Sequence, residues 1–206
     1  MEGEKRFVVF IGGAHGSGKS TVCSLLADGY DCHIAKQRHA LIEVGAARGL
    51  MWPVVAAHHH TLITEAGLLV REQFFASRKR ALLIDCHYAI RTGKALRPLP
   101  AQASGYIPDL DEFFVRTLSP LGSLLFVLLY IDSEVACQRL SEAHGGSAFE
   151  YEYTVEGNRN QAQAEREVFN RYVQLFRCPY RQHLVVEANV DAPSAGELIA
   201  SRFLLS

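Results

Sequence analysis

Residues 7–21 read FVVFIGGAHGSGKST, and no other stretch constrains the fold of this chain as strongly. Five apolar residues, Phe7 to Ile11, run into a glycine-rich turn, and the turn runs into Lys19-Ser20-Thr21. An unbroken apolar run bounded by a turn reads as a strand buried on both faces. The turn has the spacing G-x-x-x-x-G-K-S, from Gly13 through Gly18 and Lys19 to Ser20, which is the phosphate-binding loop pattern. Each residue type has a physical task there. Glycines allow positive φ and let backbone N–H groups approach phosphate oxygens with no Cβ in the way. A helix starting near Lys19 would point its positive dipole end at the same oxygens. Lys19 would reach the β- and γ-phosphates, and the Ser20 hydroxyl would ligate Mg²⁺. The loop Gly13, Ala14, His15, Gly16, Ser17, Gly18, Lys19, Ser20, Thr21 is thus the expected seat of a nucleoside triphosphate. The competing reading is a strand–helix turn that binds nothing, and the G-K-S placed between a buried-type strand and a helical pattern argues against it.

The rest of the chain alternates strands with helices. Helical spacing is expected over residues 19–28, 37–48, 54–78, 109–118, 134–143, 159–176 and 194–204. Strands are expected over 32–34, 81–85, 124–131 and 183–187. Asp109 is the expected N-cap of the fourth helix, and Asp132 or Ser133 that of the fifth. Residues 86–108, with Gly93, Pro98, Pro100, Gly105 and Pro108, read as irregular, and 144–157 as a mobile excursion. Such alternation specifies an α/β domain: a parallel sheet of five strands, or four, covered by helices on both faces. Right-handed crossovers then place the glycine-rich loop at the carboxyl ends of the strands, where ligands bind.

The length of 206 residues suits one domain with an excursion, and the 49% hydrophobic content is ample for one core. A net charge of −1 supplies no field to draw in nucleic acid or an acidic membrane. The five cysteines (23, 32, 86, 137, 178) include no C-x-x-C pair and are odd in number, as expected of reduced thiols in a cytosolic protein. The N-terminal MEGEKR does not resemble a signal peptide, and no apolar run approaches the ~18 residues of a membrane span. The expected compartment is the cytoplasm.

Outside the loop, several residues could carry chemistry. Asp85 follows four apolar residues at a strand's carboxyl end, the place for a carboxylate beside Mg²⁺. Arg91, Lys94 and Arg97 lie in the next loop, read either as solvated charges or as cations for a transferred phosphoryl group. Arg139, Arg159 and Arg166 flank the glycine-rich excursion and could close over the γ-phosphate; singly, each is better explained by a surface ion pair with Glu142, Glu165 or Glu167, while for at least one of the three the catalytic reading is preferred. His58-His59-His60 is not a chelating set, because neighbours on a helix point about 100° apart. One of them could line an acceptor pocket.

The order of these motifs resembles the archaeal-type adenylate kinases, a branch of the nucleoside monophosphate kinases. The residues carrying it are GGAHGSGKST, the helix pair over 37–78, LLIDCHYAIRTGKALRPLP, and the apolar strand, Asp and Arg-Leu helix of 124–140. The resemblance implies one kinase domain over 1–206, with an acceptor flap at about 35–80 and a lid at about 141–160. It implies ATP and Mg²⁺ at residues 13–21, with Asp85 by the metal, and Arg91 and Lys94 between donor and acceptor phosphates. Arg139 would lead into the lid. Two segments depart from the family pattern. The lid position reads AHGGS rather than arginine-rich, and His58-His59-His60 stands where an acceptor-binding arginine is expected, so Arg38 or His59 would substitute.

The expected reaction is transfer of the γ-phosphoryl of Mg·ATP to a small acceptor, foremost a nucleoside monophosphate, with Lys19, Arg91, Arg139 and Asp85 as the catalytic set. Two other readings stay open: a kinase of a nucleoside or other small hydroxyl compound, with Asp85 as base, and a nucleotide-dependent switch or assembly ATPase.

Overall fold

The computed structural model describes residues 6–51, 55, 59–91, 106–143, 154–179, 182–189 and 191–204. Strand β1 (Phe7–Gly13) is buried along its whole length. It pairs in parallel with β3 (Ala81–Asp85) on one side and β6 (Ser123–Tyr130) on the other. β2 (Cys32–Ala35) and β7 (His183–Glu187) complete a five-stranded parallel sheet of order β2-β3-β1-β6-β7. The sheet is the expected one, with five strands.

Because successive side chains of a strand face opposite ways, the apolar runs feed two cores. Val8, Phe10, Leu82, Ile84, Phe126 and Leu128 face one side; Val9, Ile11, Leu83, Leu125, Val127 and Leu129 face the other. The first core is covered by α2 (Gln37–Ala47), α3 (His59–Ser77), α4 (Glu112–Leu118) and α6 (Val155–Leu175). The second is covered by α1 (Lys19–Gly29), α5 (Ser133–Ala143) and α7 (Ala192–Phe203). Full burial of each such side chain contributes about 1.5–3 kcal/mol, so both faces of the central sheet are held by apolar packing. The phosphate-loop turn grows directly out of it.

Several boundaries differ from the sequence expectation for local reasons. The fourth helix is capped by Asp111, whose carboxylate accepts from the Phe113 N–H at 2.8 Å, and not by Asp109. Asp109 instead donates its backbone N–H to the Tyr88 carbonyl at 2.9 Å. α6 starts at Val155, with Thr154 accepting from the Gly157 N–H at 3.0 Å, four residues before the expected start at 159. The lid expected at about 141–160 therefore overlaps the end of α5 and the first turns of α6, and its middle lies outside the described residues. The segment read as irregular over 86–108 contains a short antiparallel ribbon, β4 (Ala89–Arg91) paired with β5 (Tyr106–Pro108). Strands of three residues leave too little alternation to be seen in sequence. The third helix runs to Ser77, one residue short of expectation, and its expected start over 54–58 falls mostly outside the described residues.

Tyr88 joins β3 to the ribbon and lies flat against β1. A Cβ placed on Gly12 would come within 2.4 Å of the Tyr88 ring, so only glycine permits this approach. The Tyr88 hydroxyl reaches the carbonyls of Phe10 at 3.0 Å and Val127 at 3.1 Å. The ribbon is thereby anchored to the strand that carries the glycine-rich turn.

Candidate active site

The turn after β1 ends at Gly18, which is left-handed with φ 81° and is the N-cap of α1. α1 receives no side-chain cap. By contrast, α4, α6 and α7 are each capped by an Asp or Thr oxygen. The first amides of a helix lack intrahelical partners, so α1 presents uncapped donors and its positive dipole end to whatever enters the turn. Lys19 is buried, and its Nζ donates to the carbonyls of Gly13 at 2.7 Å and Ala14 at 3.0 Å, folding the ammonium over the loop. Burial lowers its pKa, while Glu165 and Asp85 oppose that shift. The buried Ser17 Oγ has no hydrogen-bond partner. Thr21 is exposed on the first turn of α1.

One edge of the cradle is ionic. Ser20 Oγ donates to Asp85 Oδ2 at 2.7 Å. Lys36 Nζ lies 2.7 Å from the same carboxylate oxygen and 3.4 Å from Ser20 Oγ. Sheet register accounts for this meeting: Ile34 and Ala35 of β2 lie opposite Leu83 and Ile84 of β3, so the next residues on the two strands, Lys36 and Asp85, emerge side by side. Burial favours the neutral form of Asp85, but hydrogen bonds from Lys36 and Ser20 outweigh it and lower the pKa. The carboxylate is ionised at neutral pH. Two hard oxygen donors at the mouth of a phosphate cradle fit Mg²⁺, which takes one or two protein oxygens and completes its octahedron with water and phosphate oxygens.

The opposite edge is built from α6. Gln161 Oε1 accepts from the His15 N–H at 3.1 Å, and Asn158 Nδ2 donates to the His15 carbonyl at 2.9 Å. Seven residues after Asn158 on the same helix face, Glu165 is fully buried. It accepts from the Tyr88 N–H at 2.7 Å and meets His87 Nδ1 at 2.8 Å. Burial raises the Glu165 pKa to about 7, against the pull of Lys19 and the N–H groups of Tyr88, Ala89 and Gly13. Burial, assisted by Lys19, drives the His87 pKa well down and keeps its ring neutral. That ring lies 4.7 Å from the ring of His15. The loop is thus held from outside, at His15 and Gly13.

The structure brings together the loop residues, Lys19, Ser20 and Asp85. It does not gather all the expected cations. Arg139 on α5 donates to the Ala188 carbonyl at 3.0 Å, tying the helix to the end of β7. Arg166 stacks over the Tyr130 ring at 4.7 Å, Arg159 is exposed, and Arg38 is exposed on α2. Arg91 ends β4 and His59 begins α3, with only their backbones described; Lys94, Arg97 and His58 lie outside the described residues. Glu165 is a buried anchor and not the surface ion-pair partner expected of it.

Lys36, Asn158, Gln161 and Glu165 are the site residues that sequence reasoning did not find. A signal existed for the last three. Their spacing puts polar groups on the same face as buried Ala164, Val168, Phe169 and Tyr172, and a polar residue on the apolar face of a helix implies a buried partner. Among the described residues no cluster of three or more His, Cys, Asp or Glu could hold a metal, all five cysteines are free, and no helix is long and apolar enough to cross a membrane.

No protein-family model matches the sequence, and no curated protein does. Solved structures do. A sugar kinase from Janibacter sp. HTCC2649 superposes with a TM-score of 0.52 at 15% identity, over 98% of this chain and 96% of that one. Shikimate kinase from Aquifex aeolicus gives 0.51 at 15% identity, over 96% of each chain. An uncharacterised protein from Eubacterium ventriosum gives 0.52 at 13% identity, over 98% of this chain and all of that one. At such identities the likeness is one of fold: this chain has the α/β fold of the phosphate-loop kinases.

Proposed function

We propose that this chain is a phosphotransferase that moves the γ-phosphoryl group of Mg·ATP to a small acceptor. One observation carries the reading: uncapped α1, Lys19 and the Ser20–Asp85 pair converge at the carboxyl end of a buried parallel sheet. Lys19 would leave the Gly13 and Ala14 carbonyls for the β- and γ-phosphates, and the α1 amides would hold the β-phosphate. Mg²⁺, when bound at Ser20 and Asp85, neutralises charge on the transferring group. Positioning and electrostatics suffice for such transfer, and no covalent enzyme intermediate is required.

The acceptor we favour is a nucleoside monophosphate. Asp85 is already engaged by Ser20 and Lys36, which suits a metal-side carboxylate better than a base for a neutral hydroxyl. A nucleoside monophosphate brings its own anionic nucleophile and needs cations, which Arg38, His59, Arg91 and Lys94 would supply. A kinase of a small hydroxyl compound is the second reading, favoured by the sugar and shikimate kinases of the same fold.

The test is incubation with Mg·ATP and a panel of nucleoside monophosphates, nucleosides, sugars and shikimate, following ADP release and acceptor phosphorylation together. ADP release stimulated by a monophosphate, with the diphosphate formed, supports the favoured reading. A phosphorylated sugar or shikimate shifts the assignment to the second. ADP release with no acceptor modified points to a nucleotide-dependent switch.

A further inference from the structure

The Lys36 ammonium sits where a divalent ion would be wanted, 2.7 Å from Asp85 Oδ2 and 3.4 Å from Ser20 Oγ. Its position is not an accident of a long side chain, because the β2–β3 register delivers Lys36 beside Asp85. The two lysines at the site differ in freedom. Lys19 is buried and held by two carbonyls, whereas the Lys36 side chain is 38% exposed and forms no side-chain cap on α2. A flexible four-carbon stem with its head at the solvent boundary can leave Asp85 without unfolding anything. A dication bound at the same carboxylate oxygen would weaken the Lys36 ion pair, since like charges in close contact repel at the reduced effective dielectric of a part-buried site.

We propose that Lys36 is an exchangeable cation: it neutralises Asp85 in the free protein, is displaced when the divalent ion binds at Ser20 and Asp85, and then contacts an anionic group, phosphate or carboxylate, on the acceptor. The exchange makes and breaks no covalent bond. Asp85 keeps its charge, one cation replaces another, and the Ser20 proton turns away as its oxygen faces the ion. The inference rests on the kinase reading only for the acceptor. The cation exchange at Asp85 stands independently of any turnover.

The first experiment titrates Mn²⁺ into the nucleotide-free protein and reads free Mn²⁺ by electron paramagnetic resonance. Lys36→Met is expected to bind Mn²⁺ about tenfold more tightly than the unaltered chain, a shift equivalent to ~1.4 kcal/mol. Lys36→Arg, which retains the charge, should stay near the original affinity, and Asp85→Asn should abolish the site in either background. Equal or weaker binding by Lys36→Met overturns the exchange.

The second measurement needs no variant beyond one for assignment. The ¹⁵N-ammonium resonance of Lys36, slowed in exchange by its ion pair, should broaden or vanish when MgCl₂ and ADP are added, and a resonance that persists unchanged overturns displacement. With Mg·ADP in place, AMP and shikimate are then added separately, with neutral adenosine as the control. A Lys36 response to AMP alone assigns a phosphate contact, and a response to shikimate alone a carboxylate. A response to neither, or equally to adenosine, overturns the acceptor half. A panel that yields no phosphorylated product while Mn²⁺ binding tightens in Lys36→Met refutes the kinase reading and leaves the exchange intact.

Discussion

The two edges of the phosphate cradle are held by opposite physics. On the Ser20 edge, a carboxylate, an ammonium and a hydroxyl meet at the solvent boundary, and each can change partner. On the His15 edge, two amides and a fully buried carboxylate grip backbone groups from a long helix. Asp85 is buried but the Lys36 head is part-exposed, so solvent screens the pair, and exposed ion pairs contribute typically 0–1 kcal/mol. A buried polar group deprived of its partner costs about 1–3 kcal/mol, and more when it is charged. The contrast teaches that the loop's shape and its ligand are assigned to different sides: α6 fixes the backbone, and the β2–β3 side is left adjustable.

The comparison can be broken in several ways. The largest expected effect lies between the two edges. Lys19→Ala should reduce phosphoryl transfer by at least ~10²-fold, if Lys19 acts as a transition-state cation. Near-normal turnover would remove the loop from the mechanism. Next, Glu165→Gln should destabilise the protein by about 2 kcal/mol in urea unfolding, because one amide oxygen cannot accept from all of the Tyr88, Ala89 and Gly13 N–H groups that the two carboxylate oxygens share.

The same variant carries a pH test with a definite sign. The Glu165 pKa is raised by burial from 4.5 to about 7, so between these values the folded state binds the extra proton and the unfolded state does not. Stability from this group is then lost as pH rises through that window. His87, held neutral by burial, and Lys19 face Glu165 in both proteins. The stability of the unaltered chain minus that of Glu165→Gln should fall from pH 4.5 to 7, and a rising difference would contradict burial as the dominant cause.

A smaller loss of about 1–2 kcal/mol is expected for Asn158→Ala, which removes one bond to the loop and leaves a small void. A several-fold weaker ADP affinity by calorimetry should accompany it, since the loop is no longer held open from outside. Smallest of all, Lys36→Met should change unfolding stability by about 1 kcal/mol, because the Lys36 head is part-exposed and buried Asp85 keeps its Ser20 hydrogen bond. A large loss there would make the Ser20 edge as rigid as the other and erase the distinction.

The contrast also explains what was legible in the sequence. The sheet, the loop and the Ser20–Asp85 meeting rest on local signals: apolar runs, glycine spacing, and a carboxylate at a strand's end. Each needs only a few consecutive residues. Lys36 depends on register between two strands nearly fifty positions apart, which no local pattern encodes. Asn158, Gln161 and Glu165 looked like the polar face of a charged helix until their phase against Ala164, Val168 and Tyr172 was fixed by packing. The cap of α4 moved from Asp109 to Asp111 because the Asp109 backbone is tied to Tyr88. Arg139 and Arg166 contact an acceptor or ring close to their own helices, at Ala188 and Tyr130, and such contacts of long side chains leave no local sequence pattern.

The His15–Gln161 hydrogen bond joins residues 146 positions apart. The turn is therefore held only once a helix far along the chain has packed against it, so a fragment ending before α6 would carry the binding motif without the bonds that fix its shape.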